Sequence, residues 1–350
     1  MQVRKYFRIE KLLPFSKNGS KSTVSILVII IILIFGIIAP IFAGQYIVDS
    51  VLDTFLIYVA LAESYDILGG FMGYVDLGIT VFYAAGAYLF AIPYFLMHWS
   101  FVEAIMFSTL VTAGLGFLVS FPMFRLKGFY FAVATLALVP LGQYIVQDPS
   151  FFNLTGGVGG VNGVVTISYQ SAYYTIFAYV AFIIVLVYAI SKSKFGLALT
   201  SIREDEQIAE SSGINTRVVK KTAMTLSAGL CAFTGCLFAW SQGSVVPASI
   251  FSLFIAFIPV TFALFGGTGT IMGPIIGSGV YSLIDYVIRS PLIVSSPLNG
   301  AVNYEEAIIG VFLIIVGLFA PGGLMQLREP IKRLYFRIKP TRQVVRSKSP

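Results

Sequence analysis

The chain has 350 residues, of which 57% are hydrophobic and only 11% charged, with a mean hydropathy of +0.88 and a net charge of +7. This composition excludes an ordinary soluble globular domain and predicts an all-α polytopic membrane protein, because a membrane helix needs about 20 mostly apolar residues. The positive charge calls for no nucleic-acid partner, since basic loops of membrane proteins contact anionic membrane lipids.

Ten apolar segments are long enough to be candidate membrane helices. They are 24–42, 51–68, 77–96, 101–121, 129–146, 173–190, 222–240, 252–266, 271–288 and 306–320. If they alternate in direction, 22 of the 23 Lys and Arg residues lie on one side, with Arg289 opposite. The positive-inside rule makes that side cytoplasmic. We therefore predict a basic cytoplasmic N-terminus at 1–23, a multi-pass cell-membrane domain at 24–320 and a basic cytoplasmic tail at 321–350.

The second predicted span ends in an acidic, glycine-rich stretch at or near membrane depth. Its residues are Glu63, Asp66, Gly69, Gly70, Gly73 and Asp76. Irregular backbone at that depth is tolerated inside protein or beside a wet cavity, and acidic groups there often mark a pathway. Two interpretations remain open: a translocation pathway, or a short cytoplasmic turn with its charges among lipid headgroups. The small residues 84–87 that follow suit close helix packing.

The largest outer segment, 147–172, contains a run of Gly and Asn. Thr155, Gly156 and Gly157 lie in it, and no lysine follows these glycines. The phosphate-binding spacing G-x-x-x-x-G-K-[ST] is absent from the whole sequence, so no nucleotide site is predicted. Because Gly and Asn permit tight turns, we expect an outer contact surface or a turn at the mouth of the pathway.

The stretch 191–221 is polar and lies between two long apolar segments on the cytoplasmic side. Its helix-favouring run is predicted to stop at Ser211-Ser212-Gly213, because glycine commonly ends helices. Phe195, Leu197, Leu199, Ile202 and Ile208 are predicted to form one face of a short helix, and the other face is charged. Such an amphipathic helix is a docking site for a cytoplasmic partner.

A second glycine-rich break, 262–287, has a double glycine before a small-residue helix, as at Gly69-Gly70. Gly266, Gly267 and Gly269 lie in this break. Interrupted segments in both halves of a transporter indicate a site between repeats, so an inverted repeat is a further prediction.

Residues that would support catalysis or metal binding are sparse. The single histidine, His98, stands beside Trp99 at an outer boundary, where an interfacial anchor is the better interpretation. Cys231 and Cys236 lie within one apolar span and are predicted to be small buried side chains. We predict no catalytic residue, no metal and no cofactor, and therefore a transport protein without its own nucleotide site.

Four stretches in order resemble the permease subunits of branched-chain amino-acid ABC importers, and of the two permeases the M-type. The most specific is FGLALTSIREDEQIAESSGINTRVVKKTAMTLSAGLCAFTGCLFA at 195–239. The others are GGFMGYVDLGITVFYAAGAYLFA from Gly69, RLKGFYFAVATLALVPL from Arg125 with NLTGGVGGVNGV from Asn153, and FGGTGTIMGPIIGSGV from Phe265. The similarity spans roughly residues 50–320.

The resemblance implies a second permease subunit that pairs with this one as a heterodimer, two cytoplasmic ATPase subunits and an external solute-binding protein. It implies that the loop matching Ser201–Gly213 contacts the ATPase, with the polar residues meeting a cleft while Ile202, Ile208 and Ala209 pack. The coupling residues are then Ile202, Arg203, Glu204, Asp205, Glu206, Ile208, Glu210 and Gly213. The pathway residues are Gly69, Gly70, Gly73, Asp76, Thr155, Gly156, Gly157, Gly266, Gly267 and Gly269.

The sequence departs from the family where Phe129 replaces a usual acidic residue and Val139-Pro140 replaces an expected Gly-Glu pair. Both changes remove polar groups that could hold a substrate amine. An alternative function is a stand-alone ion-coupled carrier or channel that uses Glu63, Asp66 or Asp76 as its coupling group. That alternative needs no cytoplasmic docking helix.

Overall fold

The computed structural model describes residues 51–163 and 168–289, with positions 36, 40, 307, 310 and 311 besides. Apart from those positions, the predicted spans 24–42 and 306–320 lie outside the described residues. The terminal segments 1–23 and 321–350 also lie outside them.

Within the described residues the chain forms twelve α-helices and one pair of two-residue strands. The first six helices are α1 (Asp53–Asp66), α2 (Ile79–Ala91), α3 (Phe101–Met123), α4 (Phe129–Gln147), α5 (Phe152–Thr155) and α6 (Tyr169–Lys192). The others are α7 (Lys194–Glu204), α8 (Glu206–Ser211), α9 (Thr216–Gln242), α10 (Pro247–Ile250), α11 (Leu253–Gly266) and α12 (Met272–Arg289). The strands are β1 (Val161–Asn162) and β2 (Ser244–Val245).

Seven helical segments in the described residues are long and apolar enough to cross a membrane. They are Asp53–Phe71, Ile79–Leu96, Phe101–Met123, Phe129–Gln147, Tyr169–Lys192, Thr216–Gln242 and Pro247–Gly266. The first two extend α1 and α2 by π-helical turns, and α12 is apolar but shorter. The prediction of an all-α polytopic membrane fold is confirmed. The count of ten helices, the position of the termini and the inverted repeat remain predictions.

The centre of the fold is the contact of α9 with α2 and α3, and α1 packs between α9 and α6. Small residues allow this contact: a Cβ on Gly86 would meet the backbone of Ala232, and one on Gly235 would meet the carbonyl of Tyr83. The Ser108 hydroxyl on α3 donates to the Gly86 carbonyl at 2.7 Å. The patch at 84–87 therefore serves helix packing, as predicted. Cys231 and Cys236 are both buried here as thiols.

The two strands join distant parts of the chain at one end of the bundle. Val161 pairs with Val245 in an antiparallel register, and the Gly163 amide donates to the Gly243 carbonyl at 2.7 Å. Gly160 has a φ of +73°, and a Cβ there would collide with the backbone of Val245. The glycine-rich outer segment is thus a contact surface fastened to the end of α9.

Basic residues are concentrated at the end of the helix bundle that lies opposite the two strands. Of the nine Lys and Arg in the described ranges, all except Arg289 lie at or beside the ends of α3, α6, α7 and α9 that face away from the strands. We call this the cytoplasmic end, following the positive-inside rule, and the end with the strands the outer end.

Candidate functional site

The predicted docking helix is two helices, α7 and α8, which meet at Asp205. Asp205 has an extended backbone (φ −162°), and its carboxylate accepts from the amides of Gln207 and Ile208 at 2.8 and 3.0 Å. An aspartate in this position ends one helix and caps the next. The prediction of a single continuous helix up to Ser211 was therefore wrong. The end of α8 at Ser211, before Gly213 with its φ of +87°, is as predicted.

Hydrophobic residues of α7 and α8 do not share one face. Leu199, Ile202 and Ala209 are buried against the membrane body. Leu197 and Ile208 are instead 68% and 64% exposed. The predicted single apolar face was therefore wrong for both. Leu197 lies two residues before Leu199 in α7, so the two side chains leave different sides of that helix. Ile208 is exposed because the break at Asp205 turns α8 relative to α7.

Glu206 fastens α8 to the membrane body. Its carboxylate accepts from Lys220 Nζ on α9 at 2.6 Å and from the Tyr74 hydroxyl at 2.8 Å, and Lys127 Nζ lies 3.7 Å away. Lys220 is buried, and its ammonium lies 5.4 and 5.5 Å from the ring centroids of Tyr74 and Phe124. Cation–π contact and the short ion pair together compensate the burial of the ammonium. We call Glu206, Lys220, Tyr74 and Lys127 the Glu206 clamp.

The pKa values in this cluster agree with an ion pair. Burial alone would raise the pKa of Glu206, but hydrogen bonds from Lys220 and Tyr74 and the nearby lysine charges outweigh it. The pKa of Glu206 therefore lies below its ordinary value. Burial and the neighbouring Glu206 raise the pKa of Tyr74, so its hydroxyl remains a donor at neutral pH. On the far side of α8, Glu210 accepts a short hydrogen bond from the Thr216 hydroxyl.

Arg203, at the end of α7, joins both glycine-rich breaks. Its guanidinium donates to the Gly70 carbonyl at 2.6 Å. Asp66 accepts from the Gly269 amide at 3.0 Å. A Cβ on Gly70 would meet Asp66 and, at 2.6 Å, the Gly269 amide, so the segments around residues 70 and 269 approach each other at backbone distance. The two breaks that resemble each other in sequence are thus neighbours in space.

The acidic residues near the first break are inside the protein. Glu63, Asp66 and Asp76 are each 0% exposed, so the interpretation of a turn with its charges among lipid headgroups was wrong. Among the described residues, no hydrogen-bond partner reaches either Glu63 oxygen, Asp66 Oδ2 or Asp76 Oδ2. A buried carboxylate oxygen without a donor is costly, which favours a functional role over a structural one.

The predicted pathway residues fall into two separate groups. Gly69, Gly70, Gly73, Asp76, Gly266, Gly267 and Gly269 lie at the cytoplasmic end. Thr155, Gly156 and Gly157 lie at the outer end, where the Thr155 hydroxyl donates to the carbonyls of Val146 and Phe151. Gly156 is left-handed (φ +69°) and ends α5. Their role in translocation remains a prediction, but they do not form one site.

Asp76 lies in the connection between α1 and α2, and its protonation makes the folding stability depend on pH. Burial raises its pKa to about 6 from an ordinary 3.8, although hydrogen bonds from the Gly78 amide and Thr135 lower it. The folded chain therefore binds this proton more tightly than the unfolded chain, and stability falls as pH rises from about 4 to about 6. Two pKa units correspond to about 3 kcal/mol.

We expect Asp76→Asn to remove that part of the pH dependence. Unfolding midpoints of the purified protein should converge with wild type near pH 4 and exceed it above pH 6. Asp148→Asn is the matched control, because Asp148 is exposed at the outer end and should leave the wild-type slope. Parallel pH curves for wild type and Asp76→Asn would contradict the assignment.

Comparisons with known proteins identify the family of this chain. A sequence model of the family described as "Branched-chain amino acid transport system / permease component" matches residues 47–317. The chain belongs to this family.

Two relatives are high-affinity branched-chain amino acid transport system permease proteins LivM. That of Escherichia coli is 27% identical over 338 residues, covering 88% of this chain and 76% of the relative. That of Salmonella typhimurium is 27% identical over 333 residues, covering 87% and 75%. A probable LivH permease of Methanocaldococcus jannaschii is 28% identical over 178 residues, covering 50% and 52%.

The M-type permease resemblance is thereby confirmed, and the chain is a permease subunit of an ABC importer and a multi-pass protein of the cell (inner) membrane. A solved structure described as a metal-chelate type ABC transporter in an inward-facing conformation is 18% identical, covering 83% of this chain and 98% of that one. Its TM-score is 0.46, which is too low to assign a shared fold.

Sequence reasoning missed Tyr74, Lys127 and Lys220 as partners of Glu206. The sequence did indicate that Lys220 needs a partner. It lies in the first turns of a long apolar helix, where a lysine either reaches the lipid headgroups or pairs with an acidic residue. Nothing in the sequence indicated a role for Tyr74, since a tyrosine in a loop near the membrane is common. In the described part of the chain, no group of three or more His, Cys, Asp or Glu residues is placed to hold a metal ion.

Proposed function

We propose that this permease subunit moves branched-chain or related amino acids inward, driven by two cytoplasmic ATPase subunits and supplied by an external binding protein. A second, different permease subunit would complete the pathway. The LivM relatives carry branched-chain amino acid transport in their names, which supports the substrate class. In this proposal the chain hydrolyses no ATP itself.

The observation that carries the proposal is the two-sided construction of α7 and α8. Arg203, Asp205, Glu206 and Glu210 bond inward or cap the helices, and Ile202 is buried. On the free side, Ile208 stands exposed with Glu204 and Gln207. A surface-exposed isoleucine between polar residues suits an ATPase contact.

Force on that surface would reach the membrane body through the inward contacts. The Glu206 clamp joins α8 to α9 and to the loop after α1, and Arg203 joins α7 to both glycine-rich breaks. Movement of α7 and α8 would therefore shift the cytoplasmic ends of several helices together. We thus divide the predicted coupling residues into outward ones (Glu204, Ile208 and Gly213) and inward ones (Ile202, Arg203, Glu206 and Glu210), while Asp205 caps α8.

Ile208→Asp tests the outward surface. Because the side chain is already exposed, folding stability should change by less than about 0.5 kcal/mol. Co-purification of the ATPase subunits should fall at least tenfold, and ATP-driven uptake should fall with it. Val158→Asp is the control: Val158 is 70% exposed but lies at the outer end, so ATPase retention should be normal.

Equal ATPase retention in both variants would overturn the docking role of α8. The ion-coupled carrier is tested separately. If the purified chain alone accumulated amino acids on an ion gradient, without ATP or partners, the proposed function would be wrong.

A further inference from the structure

A cavity of ≈ 190 Å³ lies among α1, α2, α9, α10 and α11. It is near the outer end, because Thr54 is in the first turn of α1, Gln242 is the last residue of α9 and Ser249 belongs to α10. These three polar residues form its mouth. The volume is about thirteen times the ~15 Å³ that one water molecule requires.

The inner wall of the cavity is apolar and aromatic. Ile57, Leu61 and Tyr83 are buried in it, and Tyr58 and Phe238 complete the wall. The rings are held by their neighbours: Tyr83 packs on Phe238 with centroids 5.6 Å apart, and Tyr58 packs edge-on against Tyr281 at 5.3 Å. A wall of fixed rings and branched aliphatic side chains favours an aliphatic group of limited size.

Among the described residues, none that lines the cavity carries a charge. At the mouth, Gln242 and Ser249 are exposed and offer an amide and a hydroxyl. Such neutral groups can hydrogen-bond both an ammonium and a carboxylate without excluding either charge. The arrangement therefore suits a zwitterion whose charged end stays at the wet mouth while its side chain enters the apolar wall.

We propose that this cavity is an outer binding site for the aliphatic side chain of the transported amino acid. The inference rests on the proposed function, and it adds a location and a basis for size selection. Glu63, Asp66 and Asp76 are not among the residues that line this cavity.

Cysteine labelling tests occupancy in the assembled transporter. The native cysteines are buried, so a single Ser249→Cys variant presents the accessible thiol at the mouth. Millimolar leucine should slow its reaction with a neutral maleimide at least fivefold, and glutamate should have little effect. Ala248→Cys is the matched control, because Ala248 is exposed on the same short helix but does not line the cavity. Equal protection of both cysteines, or of neither, would overturn the proposal.

Substitution of Leu61 tests size selection. Leu61→Phe fills the cavity and should lower the kcat/KM ratio of leucine to alanine uptake about tenfold, since small volume differences in an apolar pocket give discrimination of that order. Leu61→Val enlarges the cavity and should shift the ratio toward bulkier amino acids. Unchanged ratios in both variants would refute the site, and the labelling result stands even if Leu61→Phe fails to fold.

Different results would overturn the proposed function and the proposed binding site. If wild-type transporter moves no amino acid with its partners present, the proposed function itself is wrong. If wild type transports leucine but labelling and size selection do not change, only the location of the binding site is wrong.

Discussion

Lys220→Met should lower ATP-driven uptake at least tenfold while the protein still inserts in the membrane. The substitution leaves the Glu206 carboxylate, only 18% exposed, without its short ion pair. Removing one partner of a charged hydrogen bond at such a site costs about 2–3 kcal/mol. Because the clamp joins α8 to α9, hydrolysis by the ATPase subunits should continue while uptake per ATP falls.

Lys127→Met is the matched control, since Lys127 contacts the same carboxylate at 3.7 Å but is 67% exposed. An exposed pair of this kind contributes about 0–1 kcal/mol, so uptake should change less than twofold.

In the double variant Lys220→Met with Glu206→Gln, the uncompensated charge is gone and the unfolding midpoint should largely recover. Uptake should not recover, because the connection between α8 and α9 is still missing. Similar losses in the two lysine variants would contradict the clamp.

Gly235→Val should abolish stable folding, with a loss of at least about 3 kcal/mol. A Cβ at residue 235 would overlap the Tyr83 carbonyl and lie 2.9 Å from the Ala87 amide nitrogen. Both are backbone atoms of α2, so relief requires the two central helices to separate, and overpacking of a buried contact is strongly destabilising. The yield of monodisperse protein after extraction and its thermal midpoint measure the effect.

Gly229→Ala on the same helix is the control for that experiment. A Cβ at residue 229 meets only the Ala113 and Thr109 side chains, at 3.4 and 4.0 Å. Alanine favours the helix over glycine by about 1 kcal/mol, so this variant should be as stable as wild type or more so. Normal stability of Gly235→Val would show that the α2–α9 contact is looser than its geometry indicates.

Hydropathy was sufficient to locate the membrane helices in the described part of the chain. For example, the prediction of 129–146 corresponds to Phe129–Gln147, and that of 101–121 to Phe101–Met123. Long apolar runs leave few alternatives in a membrane, because every backbone polar group must be paired inside its own helix. The resemblance at 195–239 then identified the family.

Side-chain direction could not be predicted in the same way. Asp205 could belong to a helix or cap one, and the choice reverses which residues of α8 face the body. As a result Glu206, expected to meet a partner protein, bonds to Lys220, while Ile208 is exposed. The burial of Asp76 likewise depends on residues brought from α4 and α9, which no local pattern encodes.

The bond from Arg203 to Gly70 ends on a main-chain oxygen, and this limits how the contact can change by mutation. Every amino acid at position 70 retains that acceptor, so no exchange there deletes the bond by itself. The cramped space beside Asp66 and Gly269 simultaneously rejects any larger residue. Genetic repair of a defective Arg203 should therefore arise in α7 or in the helices around it, and revertants should not map to codon 70.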